Sequence, residues 1–581
     1  MKRLCTTVFL IAMVMLGSSL FGAYGRRVLV VTTEQNIPMM YQANNGEYVI
    51  TDLAASGYPF DVVTYGRFVG MTFDDLDNHD IIILNGHTSP TPVSTVAAKC
   101  QEAMAAGRKI FINGYRPYMR YDTSGQLVEQ INYCTTLFNL TYRSKPVSGV
   151  ASLPAFIEKD PLITACGFPS YWVNTFSFTT DPPVLIKMSG YNVGFLGPTG
   201  GCIDSCGGTY FMSILDYGKV VTYLRYGQPG LVGFSLDRIG GKPVVSFEVH
   251  CDSTSDIKAI NGLVSLANDM QMPLTNLLVY DYLTSNSISK WNEVSTDPLM
   301  LIGSHSKSHP QDWPSVPDFW GQTIGALNSQ RIVIPATGNY FNFSGSMNPT
   351  TQQIDQLYSS GVVFGGRGFD LRYVKPANTS SNYKIQLIPT VLTWLRNLSQ
   401  SSTTPFCLSQ TVESDHAVWQ QGRDYFQEAT WAFDTNVKYG LYTYGYIHDY
   451  MFNPASPYYY NGTHMSVIER AAFTYMKSKG AYFVDTESLI RRLRDFSNGW
   501  IDYDTNPDGS ITVSVYRPDS CANQVKIEGR NGLAPGNTVA LPSSFVGRFV
   551  TVTGISSVAV VNGRPVRCVR PRQQDDIAVL F

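Results

Sequence analysis

The feature that most constrains this chain of 581 residues is a pair of apolar runs that each end in acidic or imidazole side chains. The run at 243–252 reads Pro-Val-Val-Ser-Phe-Glu-Val-His-Cys-Asp, and the run at 300–309 reads Met-Leu-Ile-Gly-Ser-His-Ser-Lys-Ser-His. Buried parallel strands have this pattern when they deliver polar groups at their carboxyl ends. Since alternate side chains share one face of a strand, we expect Glu248, His250 and Asp252 to point into one cavity.

The second run ends in two histidines, His305 and His309, that are four residues apart. If Ser304 caps a helical turn, both imidazole rings lie on one face of that turn. Two imidazoles and a third ligand from a neighbouring strand form an open zinc or iron site. A solvated helix face has the same spacing, but both polar clusters directly follow a strand-like run, which favours a metal site.

The sequence His-Ser-Lys-Ser-His at His305–His309 resembles the H-[S/T]-x-x-H metal motif of the polysaccharide deacetylases, the NodB-homology or carbohydrate esterase 4 family. The resemblance implies metal-dependent removal of acetyl groups from an N-acetylated polysaccharide. It implies Glu248 as the general base and His250 as the third metal ligand, where the family has aspartates. Asp252 is the alternative for either role. His448 matches the placement of the family's late histidine and would be the general acid.

The family also has an arginine that helps to hold the base, in a motif expected here near Tyr340–Gly345, where this chain has no arginine. Arg367 is a candidate substitute, but nothing in the sequence shows that it takes this place. Two other functions therefore stay open. One is a glycoside hydrolase on the same barrel, with Glu248 and either Asp252 or Glu293 as paired carboxylates. The other is a catalytically degenerate exported protein that binds carbohydrate or has a structural role.

The expected cofactor is Zn²⁺, the default ion for three nitrogen and oxygen ligands with an open position, although iron, cobalt or nickel would also fit. The expected partner is a carbohydrate polymer. The formal net charge is −2 and charged residues make up 15% of the chain, so no basic excess is present to neutralise phosphates. This balance argues against a nucleic-acid partner.

The amino terminus has the pattern of a secretory signal peptide over residues 1–25. Lys2 and Arg3 precede an apolar segment from Val8 to Leu16, and small residues occupy the positions before a cleavage point after Gly25. No later run approaches the roughly 20 apolar residues that span a bilayer. We therefore expect no membrane span after signal removal, and a secreted, periplasmic or cell-surface protein.

The rest of the chain divides into three parts. Residues 26–240 alternate strands and helices, which predicts an α/β domain with a doubly wound parallel sheet, similar to the flavodoxin or glutamine-amidotransferase class, and a connector that contains a strand at Lys219–Leu224. Residues 241–496 repeat β–α units, which predicts a (β/α) barrel, either regular or distorted and incomplete, with a helix at Trp419–Ala432. The family resemblance implies that this barrel is of the deacetylase type. Residues 497–581 alternate apolar and polar positions, which predicts a small accessory β-sandwich.

Overall fold

The structure is a computed structural model. It describes residues 27–32, 47–76, 79–85, 91–114, 119–121, 126–165, 167–203, 214–227, 231–239, 242–344, 349–365 and 411–498, together with short strands between 372 and 407 and between 500 and 564. The predicted signal peptide and Arg367 lie outside these residues. No helix in the described segments is long and apolar enough to cross a membrane.

The N-terminal part alternates strands and helices. Its strands are β1 (Arg27–Thr32), β2 (Phe60–Thr64), β3 (His79–Asn85), β4 (Lys109–Asn113), β5 (Met119–Tyr121), β6 (Leu127–Gln130), β7 (Leu140–Gly149), β8 (Ala151–Ser152), β9 (Phe168–Phe178), β10 (Val184–Met188), β11 (Tyr191–Gly197), β12 (Gly200–Ile203) and β13 (Leu231–Ser235). Its helices are α1 (Glu47–Ala55), α2 (Tyr65–Gly70), α3 (Phe73–Leu76), α4 (Val93–Ala105), α5 (Cys134–Phe138), α6 (Pro161–Ala165) and α7 (Tyr217–Tyr226).

Eight of these strands form one mixed sheet in the order β2-β1-β3-β4-β12-β11-β10-β8. The pairings from β2 to β12 are parallel, and those from β12 to β8 are antiparallel. The apolar residues of β1 and β3 are fully buried, as expected for central strands covered on both faces. The half of the sheet from β2 to β12 is therefore parallel, and the half from β12 to β8 is an antiparallel extension.

The predicted strand at Lys219–Leu224 is wrong, because this segment lies inside helix α7. The Asp216 side chain caps the helix by accepting a hydrogen bond from the backbone N–H of Lys219, 3.0 Å away. Gly227 ends the helix with φ 70°, a left-handed conformation that glycine adopts without steric cost. These caps and the burial of one helix face override the strand preference of the β-branched run.

The central part continues the alternation. Its strands are β14 (Arg238–Ile239), β15 (Lys242–Cys251), β16 (Leu274–Leu278), β17 (Met300–Ser304), β18 (Thr337–Asn342), β19 (Val363–Gly365), β20 (Arg372–Tyr373), β21 (Gln386–Leu387), β22 (Leu392–Thr393), β23 (Phe406–Cys407), β24 (Thr443–His448), β25 (Tyr459–Tyr460), β26 (Thr463–His464) and β27 (Tyr482–Phe483). Its α-helices are α8 (Ile257–Met270), α9 (Ser285–Val294), α10 (Ala326–Val333), α11 (Thr351–Ser359), α12 (Asp415–Gln420), α13 (Tyr425–Tyr439), α14 (Met465–Ser478) and α15 (Thr486–Asn498). A π-helical turn, Gly321–Gly325, precedes α10.

The central sheet runs β14-β15-β16-β17-β18-β19, and β24 and β27 also pair with β15. Every pairing is parallel except that of β14. Within the described segments no pairing joins β19 to β24, so these strands form a curled half-barrel rather than a closed barrel. Their carboxyl ends lie at one edge of the sheet.

The helix predicted at Trp419–Ala432 is two helices, α12 and α13. Gly422 has φ 63°, which breaks the helical path between them. Asp424 then caps α13 by accepting a hydrogen bond from the N–H of Phe426, 3.0 Å away. The sequence predicted a single helix because only the four residues 421–424 separate the two helices.

The C-terminal strands are β28 (Trp500–Thr505), β29 (Ile511–Tyr516), β30 (Gln524–Glu528), β31 (Asn537–Ala540), β32 (Arg548–Thr553) and β33 (Val560–Arg564). Four of them form an antiparallel sheet in the order β28-β29-β32-β33. The other two extend β13 in the order β13-β30-β31. Because β13 precedes the half-barrel in the chain, strands on both sides of the predicted boundary at 497 share a sheet.

Candidate metal centre

The strand register brings the polar ends of the predicted motifs together. The pairing of β15 with β24 places His250 beside His448, and the pairing of β17 with β18 places Ser304 beside Phe341. A Cβ atom on Gly303 would lie 2.8 Å from the Leu277 side chain and 3.0 Å from a backbone oxygen of β18. Only glycine therefore lets β17 lie this close to its neighbours, immediately before the two histidines.

Asp252, His305 and His309 form a cluster in which one ligand atom from each residue lies within 4.8 Å of the others. Asp252 Oδ1 is 3.2 Å from His309 Nε2 and 3.9 Å from His305 Nε2. Among the residues that the structure describes, neither Asp252 Oδ1 nor His309 Nε2 has a partner with hydrogen-bond geometry, although both atoms are buried. Buried polar atoms without partners are rare and costly, so this convergence fits a bound cation.

The electrostatics of the cluster fit the same interpretation. Burial raises the pKa of Asp252, but the neighbouring His309, His448 and His305 outweigh it and hold the pKa well below its usual range. The His305 Nδ1 atom lies 3.1 Å from the Asn342 carbonyl oxygen, which only accepts hydrogen bonds. Nδ1 therefore carries the proton, and Nε2 presents its lone pair to the cluster, as in metal-bound histidines.

The loop that carries the two histidines is not the helical turn expected from their spacing. Ser304 ends β17, and Ser306 and His309 have φ values of 94° and 60°. Residues other than glycine in this region are strained, and such strain is concentrated at functional sites. The Ser306 Oγ accepts a hydrogen bond from the His309 N–H, 2.9 Å away, and the rings of His305 and His309 are 5.1 Å apart between centroids. The two imidazoles meet through a tight loop and not through helical periodicity.

Gln322, in the π-helical turn before α10, holds the other side of this loop. Its backbone oxygen accepts from the Lys307 N–H at 3.0 Å, and its side-chain Oε1 accepts from the Ser308 N–H at 3.1 Å. Its Nε2 donates to Ser308 Oγ at 2.9 Å. Single-turn π segments are frequently found at functional sites. Here the turn places one residue so that it fixes the two positions before His309.

The turn that follows Asp252 is fixed by a second buried carboxyl group. The Ser253 N–H lies 3.1 Å from both carboxyl oxygens of Asp449, at the end of β24. Burial, with the nearby charge of Asp252, raises the pKa of Asp449 well above its usual value. This contact ties the metal-site end of β15 to the strand end that carries His448.

His448 forms a pair with Asp415, a residue that the sequence interpretation missed. His448 Nδ1 is 2.6 Å from Asp415 Oδ1, and Asp415 Oδ2 accepts from the His448 N–H at 2.7 Å. Asp415 is fully buried at the first position of α12. His448 Nε2 then lies 3.9 Å from Asp252 Oδ2. An imidazole held by a carboxylate with its second nitrogen toward the site is an arrangement suited to proton transfer.

Glu248 does not reach the cluster. It is fully buried, and His250 Nε2 lies 2.7 Å from its Oε1. The Tyr340 O–H donates to Oε2 at 2.6 Å, and the Asn342 side-chain amide donates to Oε1. Tyr340 and Asn342 belong to the stretch where the family resemblance placed an arginine, so two neutral donors hold the carboxylate there.

His250 is directed toward Glu248 rather than toward the metal-ligand cluster. Its Nε2 atom makes the contact with Glu248, and its ring stacks on Tyr446 with centroids 4.1 Å apart. The ring also lies 4.2 Å from that of His305. The structure thus brings Asp252 together with His305 and His309. The sequence had offered Asp252 as the alternative to His250 for the third ligand. Asp252 reaches the cluster because it lies one residue beyond the end of β15.

The remaining sequence candidates are separate from the site. Glu293, the alternative second carboxylate of a glycoside hydrolase, lies on α9 with a side chain 68% exposed and pairs with Lys290 at 2.7 Å. Asp415 could have been noticed only as a Ser-Asp helix start in Ser414-Asp415, since nothing in the sequence connects it to a histidine 33 residues later.

Comparisons with known proteins gave structural similarities alone. No family model matches the chain, and no curated protein matches it. A family 4 acetyl xylan esterase from Clostridium thermocellum, solved with a cobalt ion, is 12% identical, with 43% of this chain and 91% of that chain covered and a TM-score of 0.28. A polysaccharide deacetylase from Bacillus cereus is 10% identical, with 42% and 91% covered and a TM-score of 0.25. A carbohydrate esterase 4 family pseudoenzyme from Bacillus anthracis is 10% identical, with 43% and 66% covered and a TM-score of 0.26. At these values the similarities carry no argument, and the function is argued from the site.

Proposed function

We propose that this chain is an exported, metal-dependent hydrolase that removes acetyl groups from an N-acetylated polysaccharide. The observation that carries the proposal is the convergence of Asp252, His305 and His309, whose ligand atoms lie within 4.8 Å of one another at the carboxyl ends of parallel strands. Two nitrogen ligands and one carboxylate leave positions open on zinc or another first-row divalent ion. When bound, such an ion polarises a carbonyl oxygen and lowers the pKa of a bound water.

His448 is the proposed general acid. Its Nδ1–H donates to Asp415 at 2.6 Å, which fixes the orientation of the ring. Nε2 then faces the cluster, 3.9 Å from Asp252. From that position the Nε2–H can be transferred to the amine nitrogen that leaves when the amide bond breaks.

Glu248 stays the proposed base, but its position changes how it would act. Because it is fully enclosed, a proton that it accepts from the site has to pass through a hydrogen-bonded neighbour. His250 is that neighbour, and its ring also contacts His305. In this proposal Glu248 and His250 act as one unit, and Tyr340 and Asn342 hold the carboxylate in the role expected of the family's arginine.

The same enclosure supports a second candidate function, a carbohydrate-binding protein without hydrolytic activity. A carboxylate whose two oxygens accept from Tyr340, Asn342 and His250 is also what a purely structural residue looks like. The glycoside hydrolase is disfavoured, since Glu293 is exposed and pairs with Lys290, and Glu248 is enclosed.

Acetate release distinguishes the two candidates. The full chain is stripped with a chelator, reloaded with zinc or cobalt, and incubated with an N-acetylated glycan. Release that appears only after reloading supports the hydrolase. A protein that binds the metal and the glycan but releases no acetate from any N-acetylated polymer is the binding protein. Export is tested separately by determining the first residue of the mature protein, which we expect to lie near Arg26.

A further inference from the structure

Glu469 is a buried carboxyl group that the proposed reaction does not use. It lies on the inner face of α14 with no exposed surface. In the part of the chain that the structure covers, no donor satisfies either of its two oxygens. An ionised carboxylate in such an environment costs far more free energy than a fold of ordinary stability can supply. The group is therefore neutral, and its O–H needs an acceptor.

Asp415 is the acceptor for the Glu469 O–H. Asp415 is fully buried, lies against Glu469, and interacts with it both through charge and through a side-chain hydrogen bond. It already accepts from the N–H and Nδ1 of His448 and from the N–H of His416. Of the two carboxyl groups, the one with several donors holds the charge, and the one with none holds the proton.

We propose that Glu469 is a protonated positioning residue whose O–H donates to Asp415, so that a chain Glu469–Asp415–His448 leads from the helix α14 into the metal-ligand cluster. The proton stays on Glu469, and the negative charge stays on Asp415, where it orients His448. The inference about Glu469 and Asp415 needs no bound metal, although the purpose of the chain rests on the proposed function.

The surroundings of Glu469 support its neutrality. The groups that face it are Asp415 on α12, Tyr425 on α13 and Arg470 on its own helix. Arg470 is directed outward and pairs with Asp269 at 2.6 Å. The Tyr425 O–H is buried without a hydrogen-bond partner among the described residues, and Asp415 repels a second negative charge. Burial, followed by Asp415, accordingly raises the pKa of Glu469 well above its usual value.

The test compares wild type with Glu469→Gln by infrared spectroscopy at neutral pH, using the full chain. Gln keeps the size and an N–H donor but has no carboxyl proton. We expect the wild-type-minus-variant spectrum to contain the carbonyl stretch of one protonated carboxyl group. Glu293→Gln is the matched control, since that glutamate is exposed and pairs with Lys290, and its difference spectrum should contain only a carboxylate band. A carboxylate band in the Glu469→Gln spectrum would overturn the proposal.

Thermal unfolding provides a second readout that does not depend on activity. A neutral Glu469 takes up a proton on folding, so it stabilises the fold most at low pH and loses that effect as pH rises. Between about pH 5 and about pH 8 the wild-type melting temperature should therefore fall more steeply than that of Glu469→Gln. Parallel curves would contradict the proposal. Glu469→Met has no donor for Asp415, so His448 should be oriented less firmly in that variant. Glu469→Gln keeps an N–H donor and should leave the orientation of His448 unchanged. Neither outcome depends on acetate release, so failure here is separable from failure of the proposed function.

Discussion

Replacing Gln322 with alanine tests whether this residue holds the loop of His305 and His309 in its conformation with positive φ values. Ser306 and His309 both have positive φ values, which cost about 1–2 kcal/mol for each residue other than glycine. The variant loses the two side-chain hydrogen bonds to Ser308, at 3.1 and 2.9 Å, and keeps the backbone bond to Lys307. The loop should then relax when no metal is bound.

The expected magnitude follows from those two bonds. Each is worth about 0.5–1.5 kcal/mol net, and both are exposed to water, so we expect the low end of the range, about 1–1.5 kcal/mol in total. This free energy corresponds to metal affinity about 5- to 13-fold weaker. The melting temperature of the metal-free protein should change little, because the loop contributes little to the core.

The assay is a competitive titration of the purified full chain with zinc and a chromophoric chelator. Gln352→Ala is the matched control, since Gln352 is exposed on α11 and alanine suits a helix. The control should bind zinc as wild type does. A Gln322→Ala affinity within about twofold of wild type would refute the claim that this residue preorganises the loop.

Two further predictions concern the proton-transfer groups. Asp415→Asn should lower acetate release by up to about 10²–10⁴-fold with unchanged metal content, because asparagine has one acceptor oxygen and cannot accept from both the N–H and the Nδ1–H of His448. Unchanged release in a steady-state assay would exclude Asp415 as the residue that positions His448. Glu248→Gln should lower release by a similar factor and destabilise the fold by about 1–3 kcal/mol, since its amide places donors against Tyr340 and Asn342. Full activity in Glu248→Gln would exclude Glu248 as the base.

The parts of the fold that the sequence predicted are those with a local cause. The apolar runs at 243–252 and 300–309 predicted two buried strands, and these are β15 and β17. At Lys219–Leu224 the β-branched run favoured a strand, and only the tertiary burial of one face shows the helix. The β–α repeat predicted a barrel, regular or incomplete, and could not decide between them because strand alternation does not reveal whether the last strands meet.

The candidate site, like the fold, was predicted from the sequence only where the cause is local. The spacing of His305 and His309 predicted two rings close together, and they are, but positive φ values bring them together rather than a helix. Asp415 and Glu469 could not be found because long-range packing alone places them behind His448. The family resemblance implied His250 as the third ligand with Asp252 as the alternative, and strand alternation places both on one face, so the sequence could not show that Asp252 lies with the two histidines.

Metal analysis of the purified full chain tests the central claim most directly. Wild type incubated with zinc and then desalted should retain about one equivalent, as expected for a single open site. The double variant His305→Ala, His309→Ala should retain none and should unfold with the cooperativity of wild type, because both residues lie in the loop after β17 and belong to no helix or strand. Full metal retention by the folded double variant, or no retention by wild type with any first-row divalent ion, would contradict the account.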